Sequence, residues 1–120
     1  MQGKEDKLIV DVITNILSEN KAEDVVNISL DGKSEQADFM IIASGLSNRH
    51  VLALAEKVIS SIKNKIGATV RVEGLRNADW VLIDCGDVIV HIFREEVRDF
   101  YQLERMWQYL PKDINEAEKF

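Results

Sequence analysis

Two carboxylates beside a small-residue turn are the first candidates for chemistry in this sequence. Asp84 and Asp87 enclose Cys85 and Gly86. Paired carboxylates can hold a catalytic metal ion, but nucleotidyl transfer usually places them two residues apart on a strand, so that both leave the same face. Asp84 and Asp87 are three apart and flank a predicted turn. Their more ordinary role is to accept local backbone hydrogen bonds.

One segment nevertheless favours phosphate binding. Ser44-Gly45-Leu46-Ser47 joins a predicted strand to a predicted helix, and backbone N–H groups at a helix start can hold phosphate. With Asp84 and Asp87 as metal ligands, this turn supplies the alternative hypothesis of a metal-dependent nucleotidyltransferase or nucleotide-binding protein. A rise in melting temperature with ATP and Mg²⁺ would distinguish it.

Cysteine–histidine catalysis has less support. No third group is spaced to orient His91 toward Cys85. His91 shares a face of its predicted strand with Ile89 and Phe93, where a histidine is usually hydrogen-bonded inside the sheet. We therefore expect no catalytic residue, no metal site and no cofactor, and the leading hypothesis is not an enzyme.

Hydrophobic spacing and turn residues predict the elements that position these groups. The pattern indicates three amphipathic helices and five strands: a helix from Lys4 to about Glu19, strands Val25 to Leu30 and Phe39 to Ala43, a helix capped by Ser47 and Gly67, strands Ala68 to Val72, Trp80 to Ile83 and Val88 to Phe93, and a helix from about Glu95 to Tyr109. The second strand, central helix and third strand should form a right-handed crossover, with hairpins elsewhere. The expected class is α/β, a mixed five-stranded sheet with flanking helices in a sandwich.

Composition sets the outer limits. The chain has 120 residues, of which 46% are hydrophobic, enough for one core. We expect a single domain over residues 1–110 and a polar C-terminal tail over 111–120. One cysteine excludes an internal disulfide and fits a reducing cytosol. The polar N-terminus and the lack of any run of about 18 apolar residues favour neither secretion nor a membrane span, so a cytoplasmic location is expected.

Charge indicates the kind of partner. The 15 Lys and Arg residues against 21 Asp and Glu residues give a net charge of -6. Nucleic-acid affinity depends on Lys and Arg contacts to phosphate, so direct sequence-specific nucleic-acid binding is disfavoured. An acidic surface instead favours association with a basic protein.

The last predicted helix has polar and aromatic residues that leave two interpretations open. Arg98, Tyr101 and Glu104 follow one another at intervals of three and line one helix face. They form either the charged side of an amphipathic helix or a binding surface. Tryptophan, tyrosine and arginine dominate interface hot spots, and both tryptophans and both tyrosines lie in the C-terminal third of the chain.

An ordered set of motifs across nearly the whole chain resembles the ribosomal silencing factor family, also called the Iojap family. The motifs are Asp38-Phe39, Ser44-Gly45, Arg49-His50-Val51, Glu73-Gly74, Asp79-Trp80, the stretch from Asp84 through Gly86-Asp87 to His91, and the segment from Arg98 to Trp107. The resemblance implies a fold related to the nucleotidyltransferases but without their catalytic carboxylates.

The resemblance also implies a function. Members of this family repress translation by binding large-subunit ribosomal protein fourteen, a position from which they block joining of the small subunit. The matched positions become the predicted partner contacts: Trp80, Asp84, His91, Phe93, Arg98, Tyr101 and Glu104. A homodimeric interaction module is a further alternative, since one sheet edge could serve a second copy as well as a partner.

Overall fold

The computed structural model describes residues 2–30, 37–67 and 69–101, with the backbone alone for residues 2–6 and 99–101. In chain order the elements are α1 (Gln2–Glu19), β1 (Glu23–Ser29), β2 (Phe39–Gly45), α2 (Asn48–Ser61), a π-helical turn (Ile62–Ile66), β3 (Arg71–Glu73), β4 (Trp80–Asp84), β5 (Val88–Arg94) and α3 (Glu95–Tyr101). The predicted order is confirmed. The predicted helix beyond residue 101 and the tail over 111–120 lie outside the described residues. Among the described residues, none of the helices qualifies as a membrane-spanning segment.

The strands form one mixed sheet in the order β1-β2-β5-β4-β3. β2 runs parallel to β5, and every other neighbouring pair is antiparallel. The predicted class, a mixed five-stranded α/β sheet with flanking helices, is confirmed. The predicted relation to the nucleotidyltransferases stays a prediction.

The predicted placement of the third strand was wrong. The parallel neighbour of β2 is β5, and β3 lies at the opposite edge, shortened to three residues. Burial explains the difference: β5 is buried from Val88 to Phe93 and suits the sheet centre, whereas β3 exposes Arg71 and Glu73. Charged side chains of that kind belong on an edge strand.

Two apolar clusters cover the two faces of the sheet. On one face α1 and α2 pack against the strands through buried aliphatic residues, among them Ile13, Leu17, Val51, Leu54, Ile41 and Val90. On the other face the buried cluster contains Met40, Ile42, Trp80, Leu82, Ile89 and Phe93, with Val97 of α3 packed against it. Alternation along β4 and β5 assigns each side chain to its face, so the aromatic residues of these two strands lie on the second face.

The start and end of the central helical segment match the predicted caps. The Ser47 hydroxyl accepts a hydrogen bond from the His50 backbone N–H at 3.1 Å. Gly67 ends the π-helical turn with φ of 77°, a left-handed conformation that favours glycine. Before the helix, a Cβ on Gly45 would lie 2.8 Å from Val51 Cγ2, so only glycine allows this close approach of β2 to α2.

Candidate protein-binding site

The hairpin of β4 and β5 brings three predicted site residues together. Trp80 is opposite Phe93, and His91 is opposite Leu82. The Trp80 and Phe93 ring centroids are 4.8 Å apart, and those of His91 and Phe93 are 6.0 Å apart. Aromatic pairs at these separations stabilise a core beyond their area alone. The three rings form one rigid cluster on the second face of the sheet.

A hydrogen bond fixes the chemical state of His91. The Trp80 indole Nε1 donates to His91 Nδ1 at 2.9 Å. Because Nδ1 accepts, the single ring proton of neutral His91 lies on Nε2. Burial lowers the pKa of His91 from 6.5 to about 3, since desolvation penalises the imidazolium ion. His91 Nε2 is buried and has no hydrogen-bond partner among the described residues. His91 is therefore a neutral core residue near neutral pH.

Arg98 connects the last described helix to two strands. Its Nη1 donates to the Asp24 carbonyl oxygen at 2.6 Å and to Ser44 Oγ at 2.9 Å. Arg98 is 6% exposed and Ser44 is 1% exposed. Charge-assisted hydrogen bonds are stronger than neutral ones, and burial removes the competition of water. Arg98 thus fixes α3 against the β1 and β2 strands, and its side chain is buried rather than part of a solvent-exposed charged helix face.

A second polar network joins the loop before β4 to the start of α2. Asn48 Nδ2 donates to Asp79 Oδ1 at 2.5 Å and to the Asn77 carbonyl oxygen at 3.0 Å. Arg94 Nε donates to the same Asp79 oxygen at 3.0 Å. The Arg94 and Asp79 side chains are 30% and 46% exposed, so solvent screens their ion pair and it contributes little to stability. Its consequence is positional, because Asp79, in the loop before β4, is held against the end of β5 and the start of α2.

His50 also has a positional role that the sequence did not reveal. Its Nδ1 accepts from the Leu46 backbone N–H at 3.0 Å, and its Nε2 contacts the Asn20 carbonyl oxygen at 2.9 Å. With Nδ1 accepting, Nε2 is the donor to Asn20. The imidazole therefore connects the loop after β2 with the end of α1. This loop presents Leu46, which is 61% exposed.

The residues first considered for catalysis are not assembled for it. Asp84 Oδ1 accepts from the Gly86 backbone N–H at 2.8 Å, the local turn role predicted for it. Burial, with a smaller contribution from Asp84, raises the pKa of the Cys85 thiol to about 12. A protonated, buried thiol is a poor nucleophile. Within residues 2–30, 37–67 and 69–101, no cluster of three His, Cys, Asp or Glu side chains is arranged to hold a metal ion.

The structure assembles part of the predicted contact set. Trp80, His91 and Phe93 form one cluster, Arg98 is buried nearby on α3, and Asp84 lies half-buried at the far end of β4. Tyr101 ends α3, but its side chain and all of Glu104 lie outside the described residues. Trp80 is only 7% exposed, so its truncation will affect the fold as well as any docking. His91, Phe93 and Arg98 are likewise buried, so their side chains lie beneath the surface of this structure.

The polar networks were missed because their partners are far apart in the chain. Arg98 lies 54 residues from Ser44 and 74 from Asp24, and Asn48 lies 31 from Asp79. The spacing of residues in one sequence predicts contacts between side chains three or four residues apart on a helix. It does not predict contacts between residues this far apart in the chain. One feature of the sequence gave an indirect indication that Arg98 has a specific role. It lies three residues before Tyr101 on a helix that also supplies apolar side chains.

Comparisons with known proteins agree on one family. Residues 4–119 match the family described as "Ribosomal silencing factor during starvation". A ribosomal silencing factor RsfS from Zymomonas mobilis is 48% identical over 103 residues, covering 86% of this chain and 77% of that protein. The mouse protein named "Mitochondrial assembly of ribosomal large subunit protein 1" is 29% identical over 104 residues, 84% of this chain and 46% of its own length.

A solved structure agrees in fold as well as in sequence. A crystal structure of a Chromobacterium violaceum protein superimposes with a TM-score of 0.80 and 34% identity, covering 84% of each chain. The two proteins therefore share the α/β fold described above. On these comparisons the chain belongs to the ribosomal silencing factor family, which gives it a ribosome-associated role in regulating translation.

Proposed function

We propose that this protein represses translation by binding the large ribosomal subunit through large-subunit ribosomal protein fourteen, where it blocks joining of the small subunit. The observation that carries the proposal is the family match, which spans residues 4–119. The name of the mouse relative assigns that protein to assembly of the large subunit. The proposed unit is one domain over residues 1–110, acting in the cytoplasm and without catalysis.

Charge supports a protein partner of basic character. The chain has a net charge of -6, which favours association with a positively charged surface and disfavours direct contact with ribosomal RNA phosphates. Complementary charge raises the association rate more than the final affinity, and salt screens it. Binding to the large subunit should therefore weaken with ionic strength.

The seven predicted contact residues divide into two roles under this proposal. Trp80, His91, Phe93 and Arg98 form a buried support that holds the hairpin and α3 in place. Asp84, a half-buried residue, is the described candidate for direct contact, and Tyr101 and Glu104 complete the proposed contact set. Preorganisation of this kind stabilises a complex by lowering the entropy lost on binding.

Sedimentation with separated ribosomal subunits tests the proposal. The protein should co-sediment with large subunits but not with small ones, and adding small subunits afterwards should form fewer joined particles than in its absence. Bovine serum albumin at equal concentration controls for trapping. Failure to co-sediment with large subunits, or full joining in the presence of bound protein, would contradict the proposal.

A further inference from the structure

β1 is an edge strand of the sheet that the described residues form. In the order β1-β2-β5-β4-β3, no strand formed by the described residues lies outside β1. β1 has seven residues, Glu23–Ser29, whereas the opposite edge strand β3 has three. An edge strand presents unpaired backbone N–H and C=O groups that can pair with another chain. Of the two edges, β1 has the length to do so.

The register shows which backbone groups of β1 face outward. The Leu30 N–H donates to the Asp38 carbonyl oxygen at 2.8 Å, so this pair is hydrogen-bonded toward β2. Antiparallel pairs alternate between hydrogen-bonded and non-hydrogen-bonded types. Ser29 and Asn27, opposite Phe39 and Ile41, are therefore non-hydrogen-bonded pairs. Their N–H and C=O groups point away from β2.

A second contact confirms this alternation from the other side of β2. The Phe39 N–H donates to the Asp87 carbonyl oxygen, toward β5, at 3.0 Å. Phe39 therefore has no donor directed at Ser29. Both Asn27 and Ser29 are exposed, so their outward groups are open to a partner.

β1 lacks most of the features by which proteins block strand addition. Its sequence, EDVVNIS, contains no lysine, arginine or proline. Its one irregularity lies between Glu23 and Val26, where Asp24 has φ of 49°, and the register from Val26 to Ser29 is regular. The Arg98 hydrogen bond to the Asp24 carbonyl holds this irregular start in place. No strand of the described residues pairs with the regular half of this edge.

The acidic side chains at the start of β1 favour a basic partner over a second copy of this chain. Glu23 and Asp24 are both exposed at the start of β1, and no basic residue lies within the strand. A second copy pairing through β1 would bring the same two carboxylates without a basic counterpart in that strand. An extended segment that carries lysine or arginine would complement them and gain backbone hydrogen bonds as well.

We infer that the β1 edge binds an extended basic segment of a partner protein as a sixth strand, with hydrogen bonds to Asn27 and Ser29 and charge pairing to Glu23 and Asp24. The inference rests on the proposed function, in which that segment belongs to the ribosomal partner. It names a mode of recognition, strand addition at one edge, that family membership does not specify.

One substitution removes an outward backbone N–H of β1 while keeping the hydrogen bonds between β1 and β2. Asn27→Pro deletes an N–H that points away from β2, and proline is tolerated on edge strands at such positions. Asn27→Thr is the matched control, because it keeps the N–H and suits a strand. For charge, Glu23→Gln with Asp24→Asn is compared with Glu19→Gln with Glu56→Gln, which removes two exposed carboxylates from the helices. Asparagine tolerates the positive φ at position 24.

Binding of each variant to purified large ribosomal subunits gives the affinity, and hydrogen exchange of the bound wild-type protein gives the location. We expect Asn27→Pro to weaken binding about ten- to hundredfold, as for loss of a buried hydrogen bond, and Asn27→Thr to bind like wild type. The Glu23/Asp24 pair should weaken binding about three- to tenfold at low salt, with a smaller loss at high salt. The Asn27 and Ser29 amides should exchange more slowly in the complex.

The outcomes separate the inference from the function on which it rests. If wild-type protein binds large subunits while Asn27→Pro binds equally well and the two amides stay unprotected, the edge inference is overturned and the proposed function stands. If Asn27→Pro converts a dimer to a monomer without changing subunit binding, the occupant is a second copy and the inference is overturned. If wild-type protein does not bind, the proposed function fails and the inference fails with it.

Discussion

Trp80 donates its indole hydrogen to Nδ1 of His91 at 2.9 Å inside the sheet. The bond requires neutral His91, and burial lowers the pKa of this imidazole from 6.5 to about 3. In the unfolded chain the same imidazole takes up a proton near its ordinary pKa. Between these two pKa values the unfolded chain binds a proton at His91 that the folded protein does not. The free energy of unfolding therefore decreases as the pH falls.

The first prediction is that stability falls as the pH is lowered through 6.5. The His91 contribution is fully present above the unfolded pKa of 6.5 and is lost toward 3, with a limiting slope of about 1.4 kcal/mol per pH unit. Urea unfolding at several pH values from 5 to 7 measures it. His91→Gln keeps an acceptor for Trp80 without titrating, so its profile should be flatter. Equal slopes for wild type and His91→Gln would contradict the prediction.

The second prediction concerns the buried contact of Arg98 with Ser44. Arg98→Lys keeps the charge but lacks the planar donor group, and Ser44→Ala removes the acceptor. We expect each to lower the free energy of unfolding and the pair to couple by about 1–3 kcal/mol, the range for hydrogen bonds to charged groups. Thermal or urea unfolding of the four proteins gives the coupling energy. Simple additivity would show that the bond contributes nothing specific.

The third prediction compares two glycines with the same backbone angle. Gly74 and Gly86 both have φ of 90°, but a Cβ on Gly74 would lie 2.1 Å from the Trp80 carbonyl oxygen, whereas one on Gly86 would meet no atom of the described residues within 4 Å. Alanine at Gly86 incurs the left-handed strain alone, about 1–2 kcal/mol. Alanine at Gly74 should cost about 1–3 kcal/mol more, as overpacking does. Equal urea midpoints for the two variants would show that β4 shifts without loss.

The fourth prediction separates turn stability from binding at Asp84. Asp84→Asn keeps an acceptor for the Gly86 N–H and removes the charge, whereas Asp84→Ala removes both. Only Asp84→Ala should lower the free energy of unfolding, by about 1 kcal/mol. Both should weaken binding to large subunits if the carboxylate contacts a basic partner. Unchanged affinity for Asp84→Asn would remove Asp84 from the contact set.

The sequence predicted those parts of the fold that depend on local pattern. Ser47 and Gly67 are residue types that cap helices, and they predict the two ends of the central helical segment. The apolar run from Val88 to Phe93 predicts a buried strand. The placement of β3 was missed because strand order depends on which strands the core buries most completely, a property of the whole sheet.

The pattern predicted which residues of β5 share a face but not the long-range polar contacts. Alternation placed His91 on a face with Phe93, and the ring contacts confirm it. The same pattern could not reveal that Arg98 turns inward to Ser44, because the cost of burying a guanidinium is offset by acceptors far away in sequence. Long-range polar pairs of this kind become visible only when the strands are assembled.

The state of Cys85 has a practical consequence for following this protein in solution. It is the only cysteine in the chain, it is 9% exposed, and burial raises the pKa of its thiol to about 12. Thiol reagents react with the thiolate, so the native cysteine will react slowly at neutral pH. A cysteine introduced at exposed Ser60 can therefore carry a single fluorophore, with the natural sequence otherwise unchanged.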